Sequence, residues 1–334
     1  MSTDKEPEIG TQENTNSKKA GKSSYGYIFI LYVQSFLIVF GGQILGMVVM
    51  ALLSAAGMFA TAILSEFLHV SFSPIDESPV WITGMEYAVF VGIWIVALIY
   101  IGVSGKNRPL LKTLWTAPRG NRISRFLLGC IIGFGLNGLC ILIAYQHQDI
   151  SFTFEGFHPL SLLFIFICVF IQSSAEEFVC RGILYQKLLQ SYQKPAVAII
   201  GSSLFFAVLH LGNEGVTILS LINIMLTGLL FAMMVYYLDS LWCAFAAHTV
   251  WNFTQNIVFG LPNSGITVPY SIWKLDTAAA RNSFAYQVEF GIEATVFSNI
   301  VLLIACIILF LLGRRFGKSP YDVSGNIVSA KSGQ

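Results

Sequence analysis

The chain has 334 residues, of which 55% are hydrophobic and only 11% are charged. Because about a quarter of the residues of a soluble domain are charged, this composition excludes an ordinary water-soluble protein and indicates a membrane protein with several spans. The formal net charge of +1 at pH 7 gives no reason to expect a nucleic-acid partner.

The N-terminal stretch 1–24 is polar and carries charges of both signs, which predicts a disordered tail. Eight apolar stretches follow, and each is predicted to be a membrane-spanning helix. The first apolar stretch continues to residue 64 and exceeds one bilayer crossing, so we expect it to tilt, to kink near Gly41 and Gly42, or to extend into the exterior loop. The predicted fold class is all-α, a polytopic bundle of about eight transmembrane helices. The predicted spans are 28–53, 80–103, 124–144, 160–190, 196–211, 217–238, 241–259 and 291–312.

Loop charges predict the orientation of these spans. The loop 104–125 is rich in Lys and Arg, and the C-terminal tail begins with Arg314 and Arg315. The loops 54–79 and 145–159 carry acidic residues and neither Lys nor Arg. Because basic loops stay on the cytoplasmic side, we expect both termini to be cytoplasmic. The loop 260–290 is then exterior, and its structure is not predicted beyond a turn.

The fourth span contains charged residues at membrane depth, where an unpaired charge is costly. Glu177 and Arg181 are four residues apart on one helix face, which predicts an ion pair. Glu176 points about 100° away from Glu177 on a helix, which leaves it free to face a cavity. The span contains no proline from its start to residue 193, so we expect one long helix.

Two later spans each contain one histidine, His210 and His248. At 1.5 Å per helical residue, Glu176 and His210 lie roughly 20 Å from the inner ends of their helices, and His248 and Asn252 lie roughly 13 and 19 Å from theirs. Antiparallel helices would therefore bring these side chains to a similar depth. The polar residues thus fall into three short motifs, which span residues 176–181, 206–210 and 248–252.

These residue types suit the hydrolysis of an amide bond. A carboxylate in a low-dielectric cleft is a suitable general base, and a histidine with an amide can stabilise an oxyanion. Alternatively, Glu176, His210 and His248 could hold a zinc ion that activates water. The sequence contains neither GxSxG nor HExxH, so a serine or HExxH mechanism has no support.

The order and placement of the three motifs resemble the signature of the CPBP family, the CAAX-protease and bacteriocin-processing (Abi) intramembrane endopeptidases. The resemblance implies that Glu176 activates water, that His210 positions this water or binds metal, and that His248 and Asn252 form the oxyanion site. His248 could instead complete a metal site. Both a zinc enzyme and a metal-free glutamate protease are compatible with the resemblance.

The same resemblance implies a supporting role for Glu177, Arg181 and Phe206. It implies a multi-pass protein of a bacterial plasma membrane, whose partners are membrane lipid, a peptide or membrane-protein substrate, and a regulatory membrane protein. The predicted organisation has four parts: a cytoplasmic tail at 1–24, three spans at 25–145, a protease core at 146–313 and a second cytoplasmic tail at 314–334.

Two alternatives to proteolysis stay open. A non-catalytic membrane scaffold, regulating a partner or conferring self-immunity to a bacteriocin, would use the same fold without chemistry at Glu176. An ion-coupled transporter would also need buried Glu and His side chains, but inverted repeats and broken helices are expected there and the sequence shows neither.

Overall fold

The computed structural model describes residues 25–69, 78–117 and 120–316. The predicted disordered tail at 1–24 and the C-terminal tail from residue 317 onward lie outside the described residues. Within them, long apolar stretches form helices because only a helix or a closed barrel satisfies its backbone hydrogen bonds inside a bilayer. The α-helices are α1 (Tyr25–Leu68), α2 (Pro79–Ala88), α3 (Val91–Val103), α4 (Ile123–Gln146), α5 (Pro159–Glu177), α6 (Tyr185–Tyr192), α7 (Pro195–Leu209), α8 (Ile218–Leu238), α9 (Leu241–Asn252) and α10 (Val296–Phe316).

Shorter helical segments lie between them. The chain between α5 and α6 is π-helical at Phe178–Leu184, and α9 continues as a π-helix at Phe253–Val258. Short 3₁₀ helices lie at Arg108–Leu114 and Ile292–Ala294. The predicted single helix of the fourth span is therefore continuous from 159 to 192, but its middle is wound more widely than an α-helix.

Six helical stretches in the described part of the chain are long and apolar enough to cross a membrane, so the protein is a multi-pass membrane protein. The helices at the other two predicted spans, α7 and α9, have only 15 and 12 residues. Both are shorter than the roughly 20 residues that a crossing needs. The total of eight spans therefore stays a prediction. The six candidate spans are Gly26–Leu68, Pro79–Val103, Ile123–Gln146, Pro159–Tyr192, Ile218–Leu238 and Val296–Arg315.

The helix of the first span is longer than the predicted span 28–53. α1 does not end near residue 53 but continues to Leu68, a length of 44 residues or about 66 Å. No proline interrupts this stretch, and apolar residues continue through it, so nothing ends the helix earlier. The second predicted span, 80–103, agrees with the candidate span Pro79–Val103, in which α2 and α3 are separated at Val89 and Phe90.

The all-α prediction holds for the bundle but not for the loops. Strand β1 (Phe152–Phe154) pairs antiparallel with strand β2 (Trp273–Leu275), in a register that places Phe152 opposite Leu275. Both strands contain aromatic residues, which favour extended backbone. The loop 260–290 is thereby joined to the loop before α5.

Helix α9 lies at the centre of the bundle and packs against α4, α5 and α8. Polar side chains link neighbouring helical segments within the buried region. Asn137 of α4 donates to Gln255 Oε1 at 2.8 Å, and Asn223 of α8 donates to Ser298 Oγ at 2.9 Å. Hydrogen bonds of this kind hold membrane helices together where the lipid provides no competing partner.

Candidate active site

The first motif lies at the end of α5, where the chain is buried without interruption from residue 172 to 186. Glu177 and Arg181 form the predicted ion pair, with Arg181 Nη1 2.7 Å from Glu177 Oε1 and both side chains fully buried. Arg181 also donates from Nη2 to the Gly228 carbonyl of α8 at 2.9 Å. Its guanidinium lies over the Phe206 ring, 4.7 Å from the centroid. The pair therefore ties the first motif to α7 and α8.

His248 of the third motif contacts both adjacent glutamates. Its Nδ1 lies 3.2 Å from Glu177 Oε1, and its Nε2 lies 3.8 Å from Glu176 Oε2. A carboxylate only accepts, so Nδ1–H is the donor, and Nε2 faces Glu176. The imidazole is stacked on Phe231 at 5.3 Å and meets Phe206 edge-on at 5.8 Å. These contacts fix the ring in one orientation.

Glu176 differs from its neighbour in facing open space. Its side chain lines a cavity of about 360 Å³. Its Oε2 atom, like Oε2 of Glu177, is buried and has no hydrogen-bond partner among the described residues. An unsatisfied carboxylate oxygen at this depth is costly, and such exceptions in native proteins call for a functional explanation.

The other two predicted site residues line the same cavity in different ways. His210 lies directly after the end of α7, where its Nδ1 donates to the Phe206 carbonyl at 2.8 Å and leaves Nε2 available. Asn252 lines the cavity and bonds to side chains of α5. It donates from Nδ2 to Gln172 Oε1 at 3.0 Å, and Ser173 Oγ is at 3.5 Å. Its amide is thereby held at the cavity wall.

Sequence reasoning missed two carboxylates of the cavity. Glu86 of α2 and Glu293 of the 3₁₀ segment before α10 both line it. Glu293 accepts hydrogen bonds from Trp251 Nε1 at 3.0 Å and from the Ser264 backbone N–H and hydroxyl at 2.5 and 2.9 Å. Burial raises the pKa of Glu293 above its ordinary value, against the opposing effect of these donors. The only signal in the sequence was an isolated acidic residue at the edge of an apolar stretch.

The zinc alternative stays a prediction. Among the described residues, no three His, Cys, Asp or Glu side chains lie close enough together to hold a metal ion in this geometry. The donor set itself suits a metal, because Nδ1 of His248 bonds to Glu177 and Nδ1 of His210 bonds to the Phe206 carbonyl, which leaves Nε2 of each ring as a possible ligand. Glu176, His210 and His248 would hold such an ion, which would activate water, and we assign no chemical step to it.

Comparison with known protein families agrees with this geometry. Residues 158–254 match the family model described as type II CAAX prenyl endopeptidase Rce1-like. The matched segment runs from the residue before α5 into the π-helix after α9, and it contains all three motifs. No curated protein and no solved structure matches the chain. The first three predicted spans lie outside the match.

Proposed function

We propose, from the premise that residues 158–254 are a domain of the Rce1-like type II CAAX prenyl endopeptidase (CPBP/Abi) family, that the protein is an intramembrane endopeptidase. Its substrate would be a peptide bond in a membrane-associated peptide or protein. The observation that carries the proposal is the contrast between two adjacent carboxylates. Glu177 is fully buried and paired through Oε1 with Arg181 and His248, whereas Glu176 lines the cavity. The Oε2 atom of each glutamate lacks a hydrogen-bond partner among the described residues, so the contrast is in access to the cavity.

In the proposed reaction, Glu176 takes a proton from a water molecule as the water oxygen attacks the carbonyl carbon of the substrate. The carbonyl oxygen becomes an oxyanion, which the Asn252 amide is placed to stabilise. His248, whose ring is held by Glu177 through Nδ1, lies beside Glu176 and borders the space in which the water reacts. Glu176 then gives its proton to the leaving nitrogen as the C–N bond breaks, so that the carboxylate is regenerated.

His210 contributes a second nitrogen to the cavity. Because Nδ1 donates to the Phe206 carbonyl, the neutral ring has an unprotonated Nε2 that can accept a hydrogen bond from the attacking water. The ring is also held edge-on against Phe206 at 4.7 Å. We assign His210 the positioning of water.

The test compares cells with wild-type protein, Glu176→Gln and the matched control Glu155→Gln, which changes an exposed glutamate of the exterior loop. Removing a general base lowers the rate by about 10²–10⁴-fold. Peptide ends in membrane and secreted fractions, identified by mass spectrometry, should therefore disappear in Glu176→Gln alone, while its amount and melting temperature stay close to wild type.

Two results would contradict the proposal. Unchanged peptide ends in Glu176→Gln, together with an intact cellular phenotype, would favour the non-catalytic scaffold. Loss of cleavage after treatment with a chelator, with recovery on zinc addition, would show that the site changes its geometry to hold a metal and that the metal-free steps are wrong.

A further inference from the structure

A second cavity, whose wall contains no motif residue, lies at the end of the bundle where α1 begins and α3 ends. Its volume is about 650 Å³. Tyr27 and Gln34 of α1, Tyr100 of α3, Lys106 and Asn107 of the following loop, and Lys187 of α6 contribute to its wall. The cavity therefore lies between helices that cross the membrane and the basic loop 104–117, at the boundary between lipid and water.

The Lys187 ammonium is fixed in this cavity by a chain of contacts. Nζ donates to the Tyr100 hydroxyl and lies over the same ring, 4.8 Å from its centroid. The Tyr100 hydroxyl in turn donates to Gln34 Oε1 at 3.0 Å. Asn107 holds the same tyrosine from the other side by donating to its carbonyl at 3.2 Å. The cation is half-buried and pre-oriented.

This positive charge has no negative partner in the part of the chain that the structure describes. No aspartate or glutamate lines the cavity, and no carboxylate there forms an ion pair with Lys187 or Lys106. An ammonium has three N–H donors, and one of those on Lys187 is used by Tyr100. A partly buried cation with unused donors is stabilised by an anion that enters the cavity.

We propose that this cavity binds the phosphate group of an anionic phospholipid from the leaflet that faces the basic loop. Basic pockets between membrane helices are suited to lipid head groups, and the volume is within the range of small-molecule sites. Lys187 and Lys106 would contact the phosphate oxygens, and the Asn107 and Gln34 side chains would border the polar part of the head group. The site does not depend on the proposed protease activity.

The lipid would act on the helix that carries the first motif. Lys187 lies on α6, which is continuous with the buried run 172–186 through the π-helical segment. A head group bound at Lys187 therefore holds the end of this helix against α1 and α3. Binding should raise the melting temperature of the protein, because a ligand that binds only the folded state stabilises it.

The test uses purified protein in a mild detergent, titrated with dioleoylphosphatidylglycerol or dioleoylphosphatidylcholine and followed by native mass spectrometry and thermal unfolding. Wild-type protein should bind the anionic lipid more tightly. Lys187→Gln and Lys106→Gln should each weaken this binding about fivefold, since a basic residue near the surface contributes about 1 kcal/mol to anionic lipid binding. Lys194→Gln, at an exposed lysine on the same side of the bundle that does not line the cavity, should bind as wild type does.

Two further arms complete the design. Lys187→Arg keeps the positive charge and should retain lipid binding. Lys106→Gln changes an exposed side chain, so this variant tests the site even if Lys187→Gln does not fold. Inorganic phosphate that displaces the lipid and raises the melting temperature by itself would assign the site to free phosphate and overturn the choice of a lipid. Equal binding of both lipids by wild type, or unchanged binding in both Gln variants, would also overturn the proposal.

Discussion

The buried run 172–186 and helix α1 show two different ways in which a helix is placed in a membrane bundle. The run contains Glu, Arg, Gln and Ser side chains and is buried throughout. α1 is apolar on all sides and largely exposed, with Phe29 and Leu37 more than half accessible. In the run, polar side chains mark the protein interior, because lipid would not tolerate them.

In α1 the side that faces the protein is distinguished by small side chains and not by charged ones. Its buried positions include Leu31, Ser35, Ile38, Gly42 and Gly46, which recur at helical spacing. Lipid-facing and protein-facing residues of such a helix are similarly apolar, so hydropathy does not separate the two sides. Small residues do, because they allow backbones to approach closely. The comparison predicts that charge changes are most damaging in the run and volume changes most damaging in α1.

The largest expected effect follows from removing the buried cation. Arg181→Ala would leave the fully buried Glu177 carboxyl group without its guanidinium partner. Breaking a buried pair in this way costs about 3–5 kcal/mol. We expect the variant to lose most of its folded protein, measured by fluorescence-detected gel filtration after a heating series.

Arg122→Ala provides the matched control, because Arg122 is exposed beside the start of α4. It should melt close to wild type. If the two arginine variants melted at the same temperature, the buried pair would not be what holds the run in place.

A second prediction concerns the polar wall of the cavity. Asn252→Ala should reduce cleavage about 10²–10³-fold, the usual loss on removing an oxyanion donor, with little change in melting temperature. Gln172→Ala should give a smaller decrease, because Gln172 acts by orienting the Asn252 amide through the 3.0 Å hydrogen bond. Rates on a substrate found by the peptide-end comparison provide the measurement, and a wild-type rate in Asn252→Ala would remove the amide from the mechanism.

The parts of the site that could be predicted from the sequence are those set by local helix geometry. The four-residue spacing of Glu177 and Arg181 predicted their pairing, and the angle between adjacent helical residues separated Glu176 from Glu177. The depth argument also brought His248 to both glutamates. In each case, a rule of helix geometry was enough.

The parts that could not be predicted depend on contacts between distant segments. Glu293 reaches the cavity from the segment before α10, and its partner Ser264 lies in a loop without a recognisable pattern. Glu86 enters because α2 ends and the chain turns before α3. The π-helical segments after the first and third motifs were also missed, since hydrophobic periodicity does not distinguish a single wide turn from an α-helix.

The expectation that added side-chain volume destabilises α1 can be tested with two adjacent glycines. A Cβ on Gly42 would lie 2.4 Å from Ile93 Cα, whereas a Cβ on Gly41 would meet nothing within 4 Å. Gly42→Ala should therefore cost about 1–3 kcal/mol as α1 is forced away from α3. Gly41→Ala should be neutral or slightly stabilising. Thermal unfolding of the two variants in the same detergent compares them directly, and equal melting temperatures would contradict close packing of α1 on α3.

The smallest effect is expected at Glu293, whose hydrogen bonds to Ser264 and Trp251 join the loop 260–290 to the helix of the third motif. Burial raises its pKa in the folded protein above the ordinary value of 4.5. The folded state then favours the protonated carboxyl. This contribution to stability is complete below the ordinary pKa and is lost as the pH rises through the raised one. The free energy involved is about 1 kcal/mol for each pH unit that separates the folded-state pKa from the unfolded-state pKa.

Glu293→Gln carries no charge at any pH, so it should remove this part of the pH dependence. Melting temperatures measured from about pH 4 to pH 7 should fall with rising pH more in wild type than in Glu293→Gln. The matched variant Glu155→Gln changes an exposed loop carboxylate and should keep the wild-type slope. Identical slopes in all three proteins would mean that Trp251 and Ser264 stabilise the carboxylate as strongly as burial destabilises it. The loop 260–290 would then be held by a charged Glu293 throughout this range.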